Sequence, residues 1–133
     1  MNITRHPNFL RHLLVVDAAS CLAMGGALAL GAGFVTDWLG LPAGLLRAAG
    51  LVLLPFAALV LFVASRPILS RSAVWGIIGC NVVWVVGSVL LLIGGLAAPT
   101  ALGIAVVIAQ AVVVAFMAEL EAIGLRAASP IPA

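Results

Sequence analysis

Four long apolar runs constrain the fold more than any other feature of this sequence. They cover roughly residues 12–35, 43–65, 73–97 and 101–124, and each reaches the ~20 residues that an α-helix needs to cross ~30 Å of hydrocarbon. The runs are continuously apolar and lack the alternation that is typical of a barrel strand. The sequence therefore predicts an all-α, polytopic integral membrane protein, an antiparallel bundle of four transmembrane helices.

The composition supports this fold class. The 133 residues are 65% hydrophobic and 8% charged, with a mean hydropathy of +1.36, whereas soluble domains carry about 25% charged residues. Six arginines and four acidic residues are too few to form a polar exterior. We therefore expect the lipid bilayer to surround the chain. A formal charge of +2 and the absence of lysine offer no basic surface for nucleic acid.

The connections between the runs are short, which favours antiparallel packing of consecutive helices. Pro42 and Pro99 lie near the predicted starts of spans two and four, where a missing backbone N–H costs no hydrogen bond. We predict a cytoplasmic leader over residues 1–11, a single transmembrane domain over 12–126 and a flexible tail over 127–133.

The arginines predict the orientation of the bundle. Five of the six lie on one side of the predicted membrane: Arg5, Arg11, Arg66, Arg71 and Arg126. The positive-inside rule makes that side cytoplasmic, with both termini inside. In a bacterium the membrane would then be the inner membrane.

The first run has features of a secretory signal, with arginines before it and a small-residue "ALA" motif at residues 27–29. Asp17 argues against cleavage, because a carboxylate is unfavourable within the hydrophobic region of a signal. The run also continues to Val35 and gives a full span. We therefore expect span one to remain in the protein.

Polar residues in three of the spans recur at helical spacing. Each set falls on a single helix face: Asp17, Ser20, Cys21 and Met24 in span one; Asn81, Trp84 and Ser88 in span three; Gln110, Val114, Met117 and Glu121 in span four. Polar groups inside a membrane normally face the bundle interior or a water-filled cavity. We therefore expect these three faces to meet inside the bundle.

Depth along the spans suggests two polar layers. Asn81 and Gln110 both fall near the predicted midplane, so we expect a contact between their amides, with Trp84 and Ser88 on the same surface. An interhelical hydrogen bond of this kind contributes about 1 kcal/mol or less. It would fix helix register, although a ligand-binding role for this intramembrane polar core remains the alternative.

The second layer contains two candidate functional carboxylates near the cytoplasmic ends of spans one and four, Asp17 and Glu121. Arg11, Arg71 and Arg126 are candidate ion-pair partners for them. The two acids have either this structural role or a functional one. If they meet without an arginine between them, one should keep its proton at neutral pH, because like charges repel strongly in low dielectric.

The sequence contains no recognisable catalytic constellation. We predict no catalytic residue, no metal site and no cofactor, since His6 and His12 have no partner at ligand spacing and there is no phosphate-binding glycine loop. Cys21 and Cys80 lie singly in apolar runs and are best explained as small buried hydrophobic residues.

Three functions remain open at this level. The first is a small non-catalytic accessory, assembly or scaffolding component, acting as a homo-oligomer or within a larger membrane complex. The second is a small homo-oligomeric transporter or proton-coupled pathway that uses Asp17 and Glu121, favoured by the acid in the first span. The third is binding of an apolar ligand such as a quinone or lipid by Trp84, Met24 and Met117.

Overall fold

Four α-helices account for most of the residues that the structure describes. The structure is a computed structural model that describes residues 8–95 and 97–128. Within these ranges it contains no strand, and its helices are α1 (Phe9–Leu39), α2 (Ala43–Ser65), α3 (Arg71–Ile93) and α4 (Ala101–Ala127). All four are long and apolar enough to cross a membrane. The predicted fold class is therefore confirmed.

Parts of the predicted leader and tail lie outside the described residues. These parts are residues 1–7, which include Arg5 and His6, and residues 129–133.

Glycines set two helix ends that differ from the predicted runs. α1 continues beyond residue 35 to Leu39, where Gly40 adopts a left-handed conformation with φ 67° and donates its N–H to Thr36 O at 2.8 Å. α3 ends at Ile93, before residue 97, because Gly94 and a positive-φ Gly95 (φ 70°) follow it. Hydropathy missed both ends, because α1 continues through the polar residues Thr36 and Asp37, whereas α3 stops although the apolar run continues to residue 97.

Hydroxyl side chains cap the starts of α3 and α4. Ser70 Oγ accepts the backbone N–H of Ala73 at 3.3 Å, and Thr100 Oγ1 accepts that of Gly103 at 3.1 Å. These bonds satisfy donors that have no partner within the helix. The starts of both helices are therefore encoded locally.

The helices form a bundle whose two ends we name the terminal end and the loop end. The terminal end contains the start of α1, the end of α4 and the α2–α3 connection, and the loop end contains the other two connections. α1 packs extensively on α2 and also contacts α4, α3 packs on α4, and α2 and α3 touch only sparsely. α1 and α4 are therefore the central pair of the bundle.

Two glycines allow α1 and α2 to approach closely. A Cβ atom added to Gly50 would lie 2.6 Å from the Ala29 nitrogen and 2.7 Å from the Gly25 carbonyl oxygen. One added to Gly25 would lie 3.0 Å from Leu53 Cβ. The two backbones are thus in contact, which is a common way to pack helices in a membrane.

Buried apolar side chains fill the interior in two main groups. The group toward the terminal end includes Leu14, Val60, Val74, Ile77 and Leu125. The group toward the loop end consists of Ala32, Leu39, Leu41, Leu46 and Val107. Asp17 and Glu121 lie at the level of the first group, since Ala18 and Ala118 of that group are on their loop-end side.

Candidate functional site

Three polar side chains from different helices are almost completely buried. Asp17 of α1 and Asn81 of α3 are each 3% exposed, and Glu121 of α4 is 0% exposed. Burial of two acids inside an apolar bundle is costly and needs compensation by partners. Their surroundings therefore decide what chemistry they can perform.

Asn81 connects the two acids. Its amide nitrogen Nδ2 donates one hydrogen bond to Asp17 Oδ2 at 3.1 Å and another to Glu121 Oε2 at 3.4 Å. An amide has two N–H groups, so one nitrogen can serve both carboxylates. The carboxylates are thus held within two hydrogen-bond lengths of each other, and we call these three residues the acid cluster.

Each acid has an oxygen outside the Asn81 interaction. Asp17 Oδ1 accepts a weak hydrogen bond from Cys21 Sγ at 3.8 Å. Glu121 Oε1 is buried and has no hydrogen-bond partner among the described residues. An unsatisfied carboxylate oxygen in an apolar interior is expensive, so Glu121 is the least compensated polar group of the site.

The predicted contact between Asn81 and Gln110 is wrong. Gln110 Oε1 accepts from Trp84 Nε1 at 2.8 Å, and Gln110 Nε2 donates to Ser88 Oγ at 2.9 Å and to Val107 O at 2.8 Å. Ser88 Oγ in turn donates to the Trp84 carbonyl at 2.9 Å. The intramembrane polar core is therefore split, with Asn81 in the acid cluster and the other three residues in a separate amide network.

Helix length explains this correction. α4 extends to Ala127, beyond the predicted apolar run. Gln110 therefore lies about 17 residues from the terminal end of the bundle, whereas Asn81 lies only about 10 residues from it. Asp17 and Glu121 are about 8 and 6 residues from the same end. Depths measured from one common end would have grouped Asn81 with the acids.

The structure does not bring the candidate arginine partners to the acids. Arg11 donates to three carbonyl oxygens at the end of α2, those of Ala64, Arg66 (2.8 Å) and Pro67 (3.3 Å). Arg126 lies over the Trp75 ring, 5.8 Å from its centroid. Arg71 is the first residue of α3. Among the described residues, neither buried acid forms an ion pair.

The electrostatics of the acid cluster follow from its composition. It contains two carboxylates, one neutral amide and no cation, in an interior where charge repulsion is only weakly screened. Two adjacent carboxylates in such a place cannot both ionise cheaply, so a single proton held by the pair removes the repulsion. That proton could also supply the donor that Glu121 Oε1 lacks.

The residues considered for an apolar ligand do not form one pocket. Met24 is exposed on the outer surface of α1, and Met117 and Trp84 are half-buried. A shallow apolar groove does lie between α3 and α4, and Ser88 is its single polar lining residue. The groove is separate from the acid cluster and contains neither methionine.

Other chemistry finds little support in the described residues. Within residues 8–95 and 97–128, no three His, Cys, Asp or Glu side chains are arranged to hold a metal ion. Both cysteines are free; Cys21 is buried, whereas Cys80 is exposed and faces outward, unlike the buried residue that was predicted.

The acid cluster is thus the most unusual chemical feature of the fold, and it is built entirely within one chain. Comparison of this chain with protein-family models, curated proteins and solved structures finds no match.

Proposed function

We propose that this small membrane protein is a proton pathway in which Asp17 and Glu121 hold the transferred proton. The observation that carries the proposal is the complete burial of Glu121 with one oxygen lacking a partner, next to a second buried acid. Intramembrane acids without a compensating cation commonly serve in ion and proton pathways.

The geometry supports a simple exchange step. A hydronium ion delivers its proton to one carboxylate and leaves as water, and the proton passes to the second carboxylate as one O–H bond breaks and another forms. Asn81 Nδ2 donates to both acids and so holds them in position whichever acid carries the proton. No group other than water and the two acids is needed.

Proton flux into proteoliposomes tests this function. The vesicles contain a pH-sensitive dye, and potassium efflux through valinomycin makes their interior electrically negative. We expect the interior of wild-type vesicles to acidify under this potential. Asp17→Asn combined with Glu121→Gln should reduce the flux to that of protein-free vesicles, because neither amide can carry the proton. Both substitutions nearly preserve side-chain shape, so the bundle should remain folded.

Glu119→Gln is the matched control, since Glu119 lies on the same helix but is exposed. It should conduct like the wild type. The proposal fails if wild-type vesicles acidify no faster than empty ones, or if the double variant retains the full flux.

A non-catalytic accessory or assembly component is the second candidate. It is favoured by the outer face of α3, where a Cβ atom added to Gly76, Gly79 or Gly87 would meet nothing within 4 Å. Small residues at a lipid-facing surface allow another helix to pack closely. Native mass spectrometry after gentle extraction distinguishes the two: a stoichiometric larger complex together with no proton flux supports this second function.

A further inference from the structure

We propose that the acid cluster exchanges its proton with water at the terminal end of the bundle, through an apolar gate formed by Leu14, Ile77 and Leu125. This inference rests on the proposed function, since it assigns the terminal-end half of the proton pathway, the step in which the shared proton is exchanged with water on that side. It names the end of the bundle at which the proton is exchanged and the side chains that control the access of water to the acid cluster.

The gate residues lie one helical turn from the three members of the acid cluster. Leu14 precedes Asp17 by three residues on α1, and Ile77 precedes Asn81 by four on α3. Leu125 follows Glu121 by four on the antiparallel α4. All three displacements point toward the terminal end, so these side chains form one layer about 5 Å from the cluster.

This layer is tightly closed. Leu14 and Leu125 are 0% exposed and Ile77 is 1% exposed, and all three belong to one buried apolar group. Such a layer excludes water from the acids while it stays packed. The proton can therefore leave toward this end only when the layer opens or admits water.

The terminal end is also the nearer source of water. Glu121 lies about 6 residues from the end of α4, or roughly 9 Å at ~1.5 Å per residue, whereas about 20 residues separate it from the loop end. Toward the loop end the amide network of Trp84, Ser88 and Gln110 comes first. The apolar group that includes Val107 lies beyond it.

Hydrogen–deuterium exchange of the carboxyl proton tests the gate. Infrared spectroscopy detects the C=O stretch of a protonated carboxylic acid, and this band shifts when deuterium replaces the proton after transfer to D2O. We expect Leu14→Ser and Leu125→Ser each to accelerate the shift by about tenfold or more, because a hydroxyl in the layer favours the local openings that control exchange.

Val107→Ser is the matched control, since Val107 is also apolar and buried, and its side chain lies one helical turn beyond Gln110 toward the loop end. It should leave the exchange rate within about twofold of the wild type, because exchange follows local opening rather than distant packing. Leu14→Ala, a milder change, serves if a serine variant fails to fold, and should also accelerate exchange.

The possible results separate the two proposals. If the serine variants at Leu14 and Leu125 exchange no faster than the wild type, or if Val107→Ser accelerates exchange equally, the gate is overturned while the proton site stands. Absence of any protonated carboxyl band in the wild type removes the shared proton, and with it both the gate and the proposed function.

Discussion

Replacing Asn81 with leucine should lower the free energy of unfolding by about 3 kcal/mol, the cost expected when buried charged or polar groups lose their hydrogen-bond partner. Leucine has a similar volume but no N–H group. Asp17 Oδ2 and Glu121 Oε2 would both lose the donor that now lies 3.1 and 3.4 Å away. Unfolding measured in bicelles by steric trapping gives this free energy directly.

Ile78→Leu provides the control for Asn81→Leu. Ile78 is buried on the same helix, and a volume-conserving apolar exchange usually costs less than about 1.5 kcal/mol. Equal stability of the two variants would show that Asn81 does not compensate the buried acids. The expected loss exceeds the ~1 kcal/mol of an ordinary interhelical bond because one amide serves two carboxylates.

Gly50→Ala should destabilise the bundle by about 1–3 kcal/mol, the usual cost of adding a methyl group to a filled interface. The new Cβ atom would lie 2.6 Å from the Ala29 nitrogen and 2.7 Å from the Gly25 oxygen. Both are backbone atoms that cannot rotate away, so α1 and α2 would have to separate. The same unfolding measurement reports the effect.

Gly87→Ala is the matched glycine control, because Gly87 is exposed and a Cβ atom there meets nothing within 4 Å. It should cause no loss of stability, since alanine also has the better helix propensity. A Gly50→Ala variant as stable as Gly87→Ala would contradict the close contact between α1 and α2.

Much of the architecture could be predicted because it depends on patterns that hydropathy reports. The bounds predicted for span two coincide with α2, at Ala43 and Ser65. The polar faces of spans three and four were also identified from helical spacing, since spacing decides which residues share a face. On span one, only Asp17 and Cys21 of the predicted face are buried, and Ser20 and Met24 are exposed. Helix ends were less accurate where polar residues continue the helix, as Thr36 and Asp37 do in α1.

The pairing of polar side chains could not be obtained from spacing alone. Asn81 and Gln110 fall at one predicted level because their depths are counted from opposite ends of their runs, and the run of span four is three residues shorter than α4. The hydrogen bond between Trp84 and Gln110 depends on how the two helices are rotated and on the side-chain conformation of the tryptophan, neither of which the sequence reports. Similarly, nothing in the sequence showed that Arg11 would bind the carbonyls at the end of α2.

The central claim, that the two buried acids share a proton, is tested most directly by infrared spectroscopy of the wild type in lipid at neutral pH. We expect the C=O stretch of one protonated carboxylic acid, which Asp17→Asn combined with Glu121→Gln removes and Glu119→Gln preserves. A wild-type spectrum without this band, or a band that persists in the double variant, would contradict the claim.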